Sequence, residues 1–217
     1  MSEPVKSTRR YESPRRREQA AATRREILEA AHRLFAQQGY ARTTMAELAG
    51  EAGVALKTVY VAFETKAGVL RALWNLLLRG GEGTVAVAEQ AWYRAVLDEP
   101  DPERQLRLNA ANSRLGKVRL GAVLEVIRAA APSDPEIDAL WERIQREYHA
   151  NQRAIVESVA KKGGLRTGLD ATQAADIIWA VNHPDVWQLL VGRLGWSPAR
   201  YEQWCADTAC QQLLRIG

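Results

Sequence analysis

The chain has 217 residues, 47% of them hydrophobic, so it can bury a sizeable core and is not globally disordered. No apolar run approaches the roughly 18 residues that suggest a membrane helix. The net charge of +4 is local: residues 1–70 hold 12 Lys/Arg against 8 Asp/Glu, whereas residues 71–217 hold 18 of each. That asymmetry points to a polyanion-binding N-terminal part and a neutral remainder, with a solvated basic tail as the alternative. Residues 1–18 carry the clusters RR and RRR without hydrophobic periodicity. Residues 1–22 are therefore expected to form a basic flexible arm, with Arg9, Arg10, Arg15, Arg16 and Arg17 available to phosphates or a minor groove. The arm lacks the apolar stretch of a signal peptide. Cys205 and Cys210 lie five apart on an expected helix, a spacing that does not favour a disulfide. They read as reduced thiols of a cytoplasmic protein.

Thr23 and Glu26 fit a capping box that would start the first helix. Ile27, Ala30, Ala31, Leu34 and Phe35 then form one apolar stripe, and Gly39 suits the helix end. Thr44 and Glu47 make a second box for a short helix carrying Met45, Leu48 and Ala49, stopped near Gly53. Next comes "GVALKTVYVAFETK", whose β-branched and aromatic residues read locally as strand. As a third short helix, however, it places Ala55, Val59, Ala62 and Phe63 on one face. Lys57, Tyr60 and Val61 fall on the opposite face, with Thr58 at the flank. A short helix with such an outward face, joined to a capped helix by a tight turn, is a helix-turn-helix pattern whose second helix would enter a DNA major groove. A fourth helix runs "KAGVLRALWNLLLRG". Beyond it, proline and glycine breaks separate helical patterns at roughly 102–119, 121–130, 135–162, 170–192 and 197–215. The prediction is an all-α chain of about nine or ten helices.

Residues 23–73 resemble the DNA-binding domain of the tetracycline-repressor (TetR) family of bacterial regulators. The resemblance rests on "ILEAAHRLFAQQGYARTTMAELAGEAGV" followed by "TVYVAFETKAGVLRAL". The run Thr58, Val59, Tyr60, Phe63 and Lys66 stands in register with Gly39–Tyr40 and Thr43–Thr44. It implies a helix-turn-helix domain at 23–66 and a helical dimerisation and effector-binding domain at 67–217. By the same resemblance Thr44, Lys57, Thr58, Tyr60 and Lys66 are expected to touch DNA, Lys66 as a phosphate clamp. The alternatives are a purely capping Thr44, a partly buried core Tyr60 and ordinary solvated lysines. Ala55, Leu56, Lys57 and Val61 depart from residues common in the family. Val61, the Thr58 methyl and an outward Leu56 would make apolar contacts, for which the thymine methyl is the natural partner.

The C-terminal part matches no further motif. All seven Trp lie beyond residue 73. In "DIIWAVNHPDVWQLL", Pro184 is expected to kink or break the helix beside Asn182 and His183. Trp179, Asn182, His183 and Trp187 are candidate pocket residues for an apolar or aromatic ligand. Trp141, Tyr148 and His149 on the preceding long helix, with Asn109 and Asn112 before them, are the second set. A kink satisfied by its own neighbours, or a helix–helix junction at the dimer seam, is the alternative. The helices at 170–192 and 197–215, with Ile177, Ile178, Val181, Leu189, Leu190, Trp204, Leu213 and Leu214, are expected to pair with their copies in a homodimer. No catalytic constellation is present: His32, His149 and His183 form no H-x-x-x-H, and there is no G-x-S-x-G, Cys cluster or phosphate-cradling glycine loop. A metal site from His149, His183 and Asp185 is a remote alternative, and neither metal nor cofactor is expected. The expected function is a dimeric repressor released from its DNA operator by a small ligand. The rival is a ligand-independent DNA-binding dimer.

Overall fold

The computed structural model describes residues 14–79 and 87–215. Arg9 and Arg10 lie outside them. Among the described residues the fold is all-α, with one isolated bridge between Leu165 and Leu214. They divide between Val69 and Leu70 into two compact units.

The first unit holds helices α1 (Pro14–Arg42), α2 (Met45–Ala52), α3 (Leu56–Phe63) and the first turn of α4 (Lys66–Arg79). Helix α1 begins nine residues before the expected start at Thr23, so that residue lies inside the helix and caps nothing. Arg, Glu, Gln and Ala fill 15–22 and are among the strongest helix formers, while proline suits the first helical position. Arg15, Arg16 and Arg17 therefore stand exposed on a helix and not in a flexible arm. The stripe Ile27, Leu28, Ala30, Ala31 and Phe35 is buried. Gly39 breaks the helical path at φ 76°, ψ 175°, a conformation open essentially to glycine alone. Thr43 then turns back, its hydroxyl donating to the Gly39 carbonyl at 2.8 Å.

Helix α2 carries the predicted capping box. The Glu47 amide donates to Thr44 Oγ1 at 3.2 Å, and the Thr44 amide donates to Glu47 Oε2 at 2.8 Å. The Thr44 amide, and with it the Thr44 hydroxyl donating to the same oxygen at 2.8 Å, holds the Glu47 carboxylate below its usual range. Gly53 ends the helix in the left-handed region, φ 68°. The strand-like segment is helical because tertiary context overrides propensity: Val59 and Phe63 are buried, at 0% and 6% exposure. Arg24 fastens α1 to the end of α3, donating to the Ala62 carbonyl at 2.6 Å with its guanidinium 4.1 Å from the Phe63 ring centre.

The second unit contains the rest of α4, then α5 (Ala91–Asp98), α6 (Pro102–Ala130), α7 (Pro135–Lys161), α8 (Ala171–Val181), α9 (Pro184–Trp187), a π-helical turn at Gln188–Arg193 and α10 (Pro198–Leu213). Asp101, Asp134 and Ser197 each cap a helix whose first residue is proline. The expected break near residue 120 is absent, and α6 runs unbroken through Gly116 and Gly121. Glycine costs about 1 kcal/mol in a helix interior. Burial of Leu106, Ala110, Leu120, Val123 and Ile127 along one stripe outweighs it. The expected helix 170–192 is broken after Val181, where Pro184 starts a new turn. Helix α10 packs on α6, and α7 on α6 and α8. One core joins Tyr93, Leu106, Ile155, Val159, Ile178 and Leu213; another joins Ala110, Trp187, Tyr201 and Cys205. Ile178 and Leu213, expected at a dimer seam, are thus buried inside their own chain. Leu189 is exposed.

Candidate nucleic-acid interface and candidate ligand site

The α2–α3 turn is held by the Val54 amide donating to the Ala49 carbonyl at 3.0 Å. It leaves one face of α3 outward. Lys57 is exposed, Thr58 is half-buried at the flank, and Leu56, Tyr60 and Val61 are 43%, 48% and 76% exposed. Tyr60 is therefore not a core aromatic. Val61 is the most exposed large apolar side chain among the described residues. Thr44, at the exposed start of α2, caps that helix and keeps an exposed side chain. Lys66 is not an ordinary solvated lysine: its ammonium donates to the Tyr40 carbonyl at 2.8 Å and lies 4.2 Å from the Tyr40 ring centre. It pins the start of α4 to the end of α1.

The expected pocket residues fall into three groups. Asn109 donates to Gln152 Oε1 at 3.0 Å, and both side chains are buried. Asn112 reaches the Trp92 carbonyl at 3.5 Å. Trp187 packs edge-on against Tyr201, with centroids 4.9 Å apart. Trp141 is half-buried on the α7 face that also carries Gln145 and Tyr148.

The third group is a connected cluster where α7 meets the α8–α9 break. The His183 ring bonds Gln145 Oε1 at 3.0 Å and accepts the Asp185 amide at 3.2 Å. Trp179 lies edge-on between two imidazoles, 4.8 Å from His183 and 5.8 Å from His149. His149 bonds Asp176 at 2.8 Å. The Tyr148 hydroxyl donates to the Asn182 carbonyl at 2.9 Å. Burial holds the His183 imidazole below its ordinary value, partly offset by Asp185. Three buried polar atoms here have no hydrogen-bond partner: Gln145 Nε2, Trp179 Nε1 and Asn182 Oδ1. No group of three His, Cys, Asp or Glu arranged to hold a metal ion occurs among the described residues.

Sequence reasoning missed Gln145, Asp176 and Lys117. Lys117 is the sole buried charged side chain among the described residues. Its ammonium donates to Ser113 Oγ at 2.5 Å and to the Tyr148 hydroxyl at 3.5 Å. It also faces the Tyr148 and Tyr201 rings at 5.7 and 5.5 Å. Desolvation pushes its pKa down to about 8. The missed signal was register: Lys117 falls in the α6 stripe that runs through Leu106, Ala110, Leu120 and Ile127.

Residues 27–73 match the family described as bacterial regulatory proteins, tetR family. The HTH-type transcriptional regulator TtgR of Pseudomonas putida is 28% identical over 172 residues, covering 76% of this chain and 79% of that one. Among solved structures, NalD, the secondary repressor of the MexAB-OprM multidrug efflux pump in Pseudomonas aeruginosa, superposes with a TM-score of 0.71 at 18% identity. It covers 92% of this chain and 100% of NalD. A SmeT–triclosan complex, SmeT being the repressor of a Stenotrophomonas maltophilia efflux pump, gives 0.69 at 21% identity, covering 90% and 93% of the two chains. At these identities the structural matches establish the fold.

Proposed function

Because the chain belongs to the TetR family of bacterial transcriptional regulators, we propose that it is a dimeric repressor released from its operator by a small apolar or aromatic ligand. The observation that carries the DNA-binding half is the outward face of α3, where Lys57, Tyr60 and Val61 stand exposed just after a tight left-handed turn. Thr58, Thr44 and the start of α4 at Lys66 flank it in sequence. Arg15, Arg16 and Arg17, exposed on the first turn of α1, supply cations for phosphates. In this reading Val61 and Leu56 recognise thymine by its C5 methyl. Replacing thymine by uracil within each half-site, which removes that methyl alone, should therefore weaken binding at one or more positions, by roughly 1 kcal/mol. Affinity unchanged at every uracil would reject the apolar readout.

Effector release follows from chain connectivity. Helix α4 runs through the boundary between the units. Its first residue is tied to Tyr40, and near its far end the Leu78 carbonyl accepts from Arg119 of α6 at 3.3 Å. A ligand that shifts α6 would therefore pull on the helix that follows α3. In a dimer this changes the separation of the two α3 helices and breaks their fit to half-sites one helical turn apart. Exposed Leu189, with half-buried Ile177, Val181, Leu190, Trp204 and Leu214, supplies apolar surface for the dimer seam. The SmeT–triclosan complex supports the effector half, since a protein of the same fold holds an aromatic ligand.

The ligand-independent dimer is kept as a second reading by one observation: Asn109, Asn112 and His149 already have protein partners. The unpartnered atoms at Gln145, Trp179 and Asn182 favour the ligand-responsive reading.

A further inference from the structure

We propose that the second unit recognises an amphipathic organic acid, its anionic group on the Lys117 ammonium and its apolar body between α6 and the Pro184–Arg193 segment. This rests on the effector reading above and specifies the ligand's chemistry.

The argument begins with charge. A buried cation is normally matched by a carboxylate, because desolvating it alone is costly. Lys117 has none: its polar contacts are the neutral hydroxyls of Ser113 and Tyr148. The acids on neighbouring elements are already engaged. Arg128 binds Glu125 at 2.6 and 2.9 Å and lies 3.7 Å from Asp185, and Arg114 binds Glu202. The other titratable groups facing Lys117 carry no negative charge at neutral pH. Burial raises the Tyr148 and Tyr201 hydroxyls and the Cys205 thiol above their ordinary values, and lowers the His183 imidazole. With its own pKa at about 8, Lys117 is still mostly cationic at pH 7.

Access and donor balance point the same way. Lys117 lines a cleft that opens to solvent between α6 and the helix break; Gly121, Leu124, Trp187 and Gln188 line it too, as does Arg128 with its ion-pair partners Glu125 and Asp185. As it stands the cleft holds about one water molecule, so a ligand must spread it. The wall that would yield is the π-helical turn at Gln188–Arg193, which exposes Leu189 and carries no buried side chain. The unpartnered buried atoms of the adjoining cluster are two donors, Gln145 Nε2 and Trp179 Nε1, against one acceptor, Asn182 Oδ1. A buried cation with surplus donors fits a ligand rich in acceptors and carrying negative charge.

The test uses the full chain and calorimetric titration at pH 7 with three acids, 2-naphthoate, 4-phenylbenzoate and decanoate, each paired with its primary amide. At least one acid should bind tenfold or more tightly than its amide. In Lys117→Met that preference should vanish while the amide's affinity changes by less than about threefold. Lys117→Gln, neutral but polar, should behave alike. Amides that bind as tightly as their acids, or a preference that survives both substitutions, would overturn the assignment and leave the effector reading standing. If none of the six compounds binds, the effector reading falls and the assignment with it.

Discussion

Gly68→Ala is expected to unfold the first unit while leaving the second intact. An added Cβ at position 68 would lie 2.2 Å from the Phe63 carbonyl oxygen, far inside contact distance. The neighbours cannot give way. Phe63 and Val69 are buried, at 6% and 0% exposure, and the Thr65 amide already donates to that same carbonyl at 2.6 Å. The chain between α3 and α4 is also tightly bent, with Glu64 at φ 63°. Relief would require moving backbone, which places the substitution in the severe class, about 3 kcal/mol or more. A unit of this size is stable by only a few kcal/mol. Every tryptophan lies at residue 74 or beyond, so tryptophan fluorescence reports the second unit while circular dichroism reports both. The variant should lose helical signal at low urea with its fluorescence transition unmoved. Coincident transitions at the wild-type midpoint would refute this. Gly50→Ala, which meets nothing within 4 Å on α2, is the control and should be neutral or mildly stabilising.

Lys117→Met should stabilise the protein at pH 7, by on the order of 3 kcal/mol. Burial holds the folded amine at about 8, below the unfolded value near 10.4. Below pH 8 the lysine is protonated in both states, and the folded state carries the full penalty of a buried charge. Between about pH 8 and 10.4 the unfolded chain binds more protons, so wild-type stability should rise through that window. The Met variant has no such group at 117 and should not share that rise, and the gap between the two should close near pH 10.4. Urea titrations followed by tryptophan fluorescence at pH 7 and pH 10 measure this. A variant less stable at pH 7, or a gap independent of pH, would mean that Ser113 and Tyr148 already compensate the charge. A residue that costs stability where it stands is a candidate for function at that place.

The first unit was largely legible because its signals are local. The Thr44–Glu47 box, the left-handed Gly53 and the spacing of Val59 and Phe63 each act within one or two turns. The start of α1 was not, because residues 15–20 are exposed all round and their helix rests on propensity without an apolar stripe. The continuity of α6 was missed for the opposite reason: burial outweighs two glycines, and burial depends on partners distant in sequence. The candidate ligand cluster shows the same limit. Asn182, His183 and the break at Pro184 could be read from one short run. That Asn109 is bound by Gln152, 43 residues away, and that His149 is bound by Asp176 could not. The burial of Lys117 has no local signal beyond its register, because it depends on Tyr148 and Tyr201, which are distant in sequence.

The central claim, that the outward face of α3 reads DNA in a dimer, is tested most directly by selecting bound fragments from the genomic DNA of the source organism. Wild-type protein should enrich a small set of fragments that share an inverted repeat, with half-site centres about one helical turn, roughly 34–36 Å, apart. A protein carrying Lys57→Ala and Tyr60→Ala, both exposed positions whose loss leaves the core untouched, should enrich none of them. No enrichment by the wild type, or the same fragments recovered with both substitutions in place, would contradict the account.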